Sequence, residues 1–378
     1  MLNQTCALCS EKLTDLNKTR EHVIPHSIGG RLKVEGFICQ SCNSRKGDSW
    51  DAELAAQFNW LALMIGVKRD RKLTPELVQT ASGEKYFLHP TGSMTPAIFK
   101  YTEIQDSEKT KISFVGRTQK EVSKKVKEIV KRFPQLDSQD ILSTAKVQTS
   151  YLDEPLQMTL EFGGPLAGRS IVKTALAFAF QSGINSESCK SALHFLKNEQ
   201  APSSCYGLSY LQDLIVNRPT DAAFHCVALH GSTTEKTLYA YVEYFGLARW
   251  LIVLSNEYYG SEMHQSYAIN PTTGETIDIR LDWKLNRSEI EKTINGYGYS
   301  VEIYKAEVDL AFGILYGLSS KRSFDNALEV SLRTAAVSLG INADEDVSAE
   351  RWKEVVALGM QEFQPFLIRY FKSRRGGH

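Results

Sequence analysis

The chain has 378 residues, and its 44 Lys and Arg against 44 Asp and Glu leave a formal net charge of zero, so any nucleic-acid affinity must come from a local basic surface and not from the overall field. With 42% hydrophobic residues it can bury a substantial core, and its length predicts two or three globular units. No apolar run is long enough to span a bilayer and the polar start Met1-Leu2-Asn3-Gln4-Thr5 is unlike a secretory signal, which predicts a cytoplasmic protein with no membrane partner.

The first 70 residues read as a metal-stapled unit. Cys6/Cys9 and Cys39/Cys42 form two C-x-x-C pairs, a spacing that suits one tetrahedral structural Zn²⁺. Between them lie Glu21-His22-Val23-Ile24-Pro25 and the Gly29-Gly30 turn, and Asn43 follows the last cysteine. Leu54, Phe58, Leu61 and Ile65 recur at helical spacing. A basic cluster from Lys68 to Lys72 follows, and a boundary is expected near residue 70.

Residues 71–155 read as a small α+β region. Residues 85–88 and 112–115 are strand-like, and Thr118 with Glu121 forms a capping box. The helix that starts there buries Val122, Val126, Ile129, Val130 and Phe133, while Lys120, Lys124, Lys127 and Lys131 line another face. That lysine row is either a solvated face or a contact for DNA phosphates.

Residues 156–378 read as an α+β accessory domain for substrate selection, partner binding or regulation. A strand is expected over 156–162 and an apolar helix over 166–181. Runs at 224–229, 238–245, 250–254 and 266–269 predict an antiparallel meander, and helices follow residue 286. The stretch Gly163-Gly164-Pro165-Leu166-Ala167-Gly168-Arg169-Ser170 nearly fits a phosphate-cradling loop. Arginine replaces its lysine, and the strand at 250–254 ends in Ser255 with no aspartate for a metal. The preferred reading is a glycine turn into a core helix, with Arg169 and Lys173 on one exposed face. His225 and His230 fall on opposite sides of one strand and are assigned to packing or surface. Cys189, Cys205 and Cys226 are read as buried, inert thiols of a reducing compartment.

The residue types in the zinc frame are hydrolytic. His22 can serve as a general base, and Glu21 and Asn43 offer hard oxygen ligands suited to Mg²⁺ or Mn²⁺ and poorly suited to a thiolate-bound zinc. Adjacent strand residues point to opposite faces, so Glu21 and His22 share a site only where the strand bends. Arg45 and Lys46, expected at a helix start, are candidate phosphate contacts. Arg20 and Arg31 are weaker ones, and His26 is read as an exposed loop residue.

Cys6-x-x-Cys9, Glu21-His22-Val23-Ile24-Pro25, Gly29-Gly30 and Cys39-x-x-Cys42-Asn43 together resemble the zinc-bearing branch of the HNH (His-Me finger, ββα-metal) endonucleases, over about residues 1–58. The resemblance implies that His22 is the general base, that Glu21 and Asn43 hold the hydrolytic metal, that the four cysteines hold zinc, and that products carry 5′-phosphate and 3′-hydroxyl ends. Many members place an asparagine or histidine between the base and the second C-x-x-C to orient the base; residues 31–37 contain neither. Asn43 stands where histidine is frequent, as in the branch containing phage Holliday-junction endonuclease.

The expected whole is an α+β chain: an N-terminal zinc-stabilised ββα-metal nuclease unit followed by a mixed α/β region with an antiparallel β meander and C-terminal helices. The expected activity is metal-dependent DNA cleavage, as nicking or, in an oligomer, double-strand cutting. By analogy it is the effector of a bacterial antiphage or restriction system, acting as a homodimer or with a partner protein. A non-catalytic zinc module that binds DNA or protein, and an RNA endonuclease, are the alternative readings.

Overall fold

A computed structural model describes residues 5–69, 74–106, 109–146, 152, 154–198, 200, 205–342 and 346–375, and side chains to residue 372. The boundary expected near residue 70, with most of its basic cluster, lies outside the described residues. The chain is mixed α and antiparallel β, arranged in two compact units: residues 1–72 with 160–320, and residues 73–159 with 321–378. The helix Val301–Ser338 belongs to the first unit up to Ser320 and to the second from Lys321. Among the described residues no helix is long and apolar enough to cross a membrane.

The first unit is built on a five-stranded antiparallel sheet. His225–Ser232, Thr237–Tyr244 and Ala248–Ser255 form the predicted meander. Met263–Ile269 does not extend it; this strand returns to pair with His225–Ser232, and Tyr206–Leu208 completes the opposite edge. The central strands are buried along nearly their whole length, so both faces must be covered. On one face Cys226, Ala228 and Tyr241 pack with Leu214, Ile215 and Ile279, against which Trp283 and Leu285 lie. The helix Gly164–Gln181, buried from Ala167 to Phe180, packs against the sheet. Thr174 on it meets the Tyr244 hydroxyl at 2.8 Å.

Local sequence explains how that helix starts. Gly163 and Gly164 both take positive φ, 97° and 84°, which side-chain-bearing residues rarely adopt. The Gln57 side chain then clamps the Gly163 peptide from both sides, accepting from its N–H and donating to its carbonyl, each at 2.9 Å. Leu54, Phe58, Leu61 and Ile65 of Ala52–Ile65 are all buried, and Phe58 stacks on Phe162 at 4.9 Å. The strand expected over 156–162 is present only at Leu156–Gln157, so the glycine turn does not join a strand to a helix.

The second unit holds a four-stranded sheet in the spatial order Met94–Pro96, Lys85–Leu88, Glu76–Thr80, Leu156–Gln157, and a hairpin of Lys100–Gln105 with Thr110–Val115. Gln119–Arg132 follows, with the Thr118 hydroxyl accepting from the Glu121 N–H at 3.2 Å. The reciprocal half of the expected capping box is replaced: Glu121 accepts instead from the backbone and guanidinium of Arg117. Lys120, Lys124, Lys127 and Lys131 are exposed on this helix. Phe324, Phe363, Phe366 and Tyr370 form an aromatic cluster between the last two helices.

His225 shows why one polar group tolerates this core. Its Nδ1 accepts from the Phe245 N–H at 3.0 Å and its Nε2 donates to the Ile28 carbonyl at 2.7 Å, an arrangement only the neutral ring can make. Burial lowers its pKa to about 4. Because the folded value lies below the unfolded one, this stability is present above pH 6.5 and is lost as pH falls toward 4. Two and a half units predict a loss of about 2 kcal/mol between pH 7 and pH 5. Urea midpoints at the two pH values check it, and a His225→Gln variant is expected to show a shallower slope.

Candidate metal and catalytic site

Two short strands and a helix frame the N-terminal site. Lys18–His22 pairs antiparallel with Lys33–Cys39, placing Glu21 opposite Val34 and His22 opposite Lys33, with an irregularity between Lys18 and Arg20. Gln40–Lys46 follows directly, with Cys39 as its extended N-cap and Cys42 buried in its second half-turn. The four Sγ atoms of Cys6, Cys9, Cys39 and Cys42 all lie within 4.8 Å of one another, and Cys9 and Cys39 are 3.7 Å apart. Backbone geometry brings the pairs together. The Cys6 N–H donates to Glu11 and the Ala7 N–H to Phe37, which lays the first knuckle on the second strand.

Four thiolates at this separation repel one another, and a dication offsets that repulsion. Burial and the neighbouring thiols push Cys39 up to about 11 and Cys42 higher. Burial acts the same way on Cys6, but backbone donors from Cys39, Cys9 and Leu8 outweigh it and lower that thiol. The donor set and its compactness fit zinc. Cys189, Cys205 and Cys226 are buried, and burial pushes Cys189 and Cys205 up to about 12.

The chain bends immediately after His22. Val23 and Ile24 are fully buried, and His26–Ile28 forms a single 3₁₀ turn. Gly30 is obligatory in that bend, since a Cβ there would lie 1.9 Å from the Ile24 carbonyl oxygen. The bend sets Glu21 inward, 5% exposed, while His22 at the strand's end is half-buried with its ring 4.9 Å from that of His26. His26 is therefore not the exposed loop residue that the sequence predicts. It packs against the candidate base.

Asn43 lies near enough to Glu21 to draw its carboxylate pKa down. Glu21 also meets Lys173, and through Lys173 it is linked to Asp51 and Ser170, three residues that sequence reasoning missed as parts of the site. Lys173 Nζ lies 2.5 Å from Glu21 Oε1 and 2.6 Å from Asp51 Oδ2, and Ser170 Oγ donates to Asp51 Oδ1 at 2.5 Å. Lys173 is 1% exposed and Arg169 is 3% exposed, which corrects the exposed face expected for them. Arg169 stacks on Phe195 and donates to the carbonyls of Pro165 and Asn198. The physical reason is that Lys173 finds two carboxylates inside the fold, while Arg169 finds backbone carbonyls and the face of an aromatic ring. Burial opposes the charge on Lys173, but Asp51 and Glu21 together raise its pKa and keep it an ammonium. Burial, helped by Asp51, raises Glu21 above the usual carboxylate range, while Lys173 and Asn43 pull it back.

A signal for the missed residues exists. Ser170, Lys173 and Thr174 sit at i, i+3 and i+4 in a largely apolar helix, so they share one face. A polar stripe in a buried helix requires polar partners.

The basic candidates are placed differently. Arg45 and Lys46 lie in the last turn of Gln40–Lys46, not at a helix start, because Cys39 already caps that helix. They therefore have no N-terminal amides beside them. Arg45 reaches back toward Ser41 and Cys42, Lys46 lies over the Trp50 ring, and Arg20 is exposed. Arg31 donates to the Lys68 carbonyl at 3.0 Å. Lys124, Lys127 and Lys131 belong to the second unit. His225 faces inward, whereas His230 meets His264 and Trp283.

A family model described as HNH endonuclease matches residues 6–59, the segment that contains the four cysteines, Glu21, His22, Asn43 and Asp51. The N-terminal segment is thus similar to HNH endonucleases, and that similarity suggests nuclease activity. No curated protein and no solved structure matches the chain.

The zinc reading makes a direct prediction. Purified protein should carry about one zinc per chain, and Cys42→Ser should release it. Hydrogen exchange is expected to accelerate by orders of magnitude across residues 33–46 on chelation, because metal binding here is folding free energy. Unchanged protection in metal-stripped protein would contradict this.

Proposed function

We propose that the chain is a metal-dependent DNA endonuclease that hydrolyses phosphodiester bonds. Its catalytic segment is residues 6–59, and the remainder selects substrate, holds partners or restrains the cut. The observation that carries this reading is that Glu21 and His22, adjacent in the chain, and Asn43, adjacent to Cys42 of the four-cysteine cluster, all fall inside the HNH-matched segment.

In this reading His22 takes the proton from the attacking water, and its contact with His26 restricts the ring. The Glu21 carboxylate and the Asn43 amide are hard oxygen donors that would hold Mg²⁺ or Mn²⁺. When bound, that cation supplies charge stabilisation at phosphorus and at the departing 3′-oxygen. Arg20, Arg45 and Lys46 contact phosphates flanking the scissile bond, and Arg31, anchored on Lys68, contributes from the loop. The exposed lysines 124, 127 and 131 provide a second electrostatic grip.

The products carry 5′-phosphate and 3′-hydroxyl ends. One such site cuts one strand per event, so a single chain nicks, and double-strand cleavage requires a homodimer or a second encounter. A nuclease segment joined to a large accessory region is a design shared with bacterial antiphage and restriction effectors, and by that analogy the partner is a defence protein. Seven free cysteines, six of them buried, support a reducing, cytoplasmic setting.

Supercoiled plasmid with Mg²⁺ or Mn²⁺ tests the proposal. Native protein is expected to yield nicked circles, and His22→Ala to cut at least about 10²-fold more slowly. Equal cutting by the variant, or none in either metal, leaves a zinc-held binding module; cleavage of RNA with intact plasmid moves the substrate to RNA. The lysine row has its own test. Replacing Lys124, Lys127 and Lys131 by Glu should weaken DNA binding at low salt and flatten the salt dependence by about one unit of log–log slope per lost phosphate contact.

A further inference from the structure

Glu21 is the proposed metal ligand whose surroundings are least expected. Its carboxylate is nearly dry, yet the cation that meets it comes from residue 173, beyond the HNH-matched segment. We propose that Lys173 is a positioning residue for the hydrolytic metal site: its ammonium fixes the Glu21 carboxylate through Oε1 and leaves Oε2 for a divalent cation. This rests on the reading of Glu21 and Asn43 as metal ligands.

Three observations carry it. The Nζ atom is held from two sides, by Glu21 Oε1 at 2.5 Å and Asp51 Oδ2 at 2.6 Å, so it cannot follow solvent and does not wander. Asp51 is itself held on both oxygens, by Lys173 and by Ser170 Oγ at 2.5 Å, which makes it an anchor for the ammonium and not a free ligand. The helix that carries Lys173 and Ser170 is locked at its start by the Gln57 clamp on Gly163 and at Thr174 by the Tyr244 hydroxyl. An outer group that donates to a ligating carboxylate orients it and sets metal affinity. Here that outer group also balances charge. One ammonium between two carboxylates leaves one negative charge, which favours a cation at the remaining Glu21 oxygen while avoiding the repulsion of two bare carboxylates. The consequence is that the metal site is completed by a helix of residues 164–181, and the matched segment does not hold all of it.

The opposite role is also physically definite: an ammonium that occupies the cation's own place would compete with it. The two roles predict opposite signs. The test is Mn²⁺ titration of full-length, zinc-loaded protein, following free Mn²⁺ by electron paramagnetic resonance, which reads binding without activity. The native chain should bind Mn²⁺ at a site abolished by Glu21→Ala. Lys173→Met should weaken that site by about 10- to 100-fold while zinc content stays unchanged. Should the methionine variant fail to fold, Lys173→Gln keeps hydrogen-bond donors without the charge and should weaken binding in the same direction. Unchanged or tighter Mn²⁺ binding in the folded variant overturns the positioning role. A native chain with no Glu21-dependent Mn²⁺ site overturns the metal reading itself, and this inference with it.

Discussion

An ammonium buried between two carboxylates is the interaction around which the first unit is organised. Moving these three charges out of water is costly, and only close, well-directed contacts offset the cost. Lys173 achieves them at 2.5 and 2.6 Å, and removing one partner of such a buried pair typically costs about 3–5 kcal/mol. Because Glu21 and Asp51 lie 152 and 122 positions from Lys173, meeting this demand fixes the helix Gly164–Gln181 against the hairpin and the start of Ala52–Ile65. The other long-range polar contacts act in the same direction. Gln57 holds the helix start, Thr174 ties its middle to the sheet, and His225 pins the loop at Ile28 to a central strand.

Around this centre the donors separate by hardness. Soft sulfurs gather at the end of the hairpin where Cys39 pairs with Lys18. The carboxylates of Glu21 and Asp51 gather instead around Lys173, and Asn43 follows Cys42 directly. The separation matters because a thiolate cluster would capture a soft or borderline ion and leave the oxygen site to a hard one. Cys39 and Glu21 lie on the same pair of hydrogen-bonded strands, so the thiolate cluster and the bend after His22 share one hairpin.

Much of this site was legible in the sequence, and the reasons for the remainder are physical. The four cysteines sit at a spacing that announces their cluster, because short-range ligand geometry is written in closely spaced residues, and Glu21, His22 and Asn43 fall in the same matched segment. The helical stripe Leu54, Phe58, Leu61, Ile65 and the Thr118 cap were equally local. Lys173 was misread as exposed because its partners lie more than a hundred positions away, and no local pattern names a distant carboxylate. Arg45 and Lys46 were misplaced by half a helix because Cys39 serves both as zinc ligand and as N-cap, and only the first role shows in the motif. The expected strand at 156–162 had the alternation of a strand but too few pairing partners, so two residues of it pair. The return of Met263–Ile269 to the first strand of the meander is a matter of topology that strand-length patterns do not encode.

The glycine-rich stretch before Arg169 shows how one electrostatic device can be read toward two ends. Two glycines with positive φ open a buried helix, and basic residues follow within its first three turns. In a phosphate-binding loop that arrangement turns backbone amides and a cation toward a bound anion. Here the helix starts against a glutamine side chain, and its cations turn inward, Arg169 to backbone carbonyls and Lys173 to carboxylates of the same chain. The anion is therefore internal and permanent. What separates the two outcomes is which groups face the helix, and that is decided by the hairpin and by Ala52–Ile65. A basic residue in an apolar helix is thus better read as a demand for a buried anion elsewhere in the chain than as a surface feature, and in this chain the anion it finds is the carboxylate beside the candidate base.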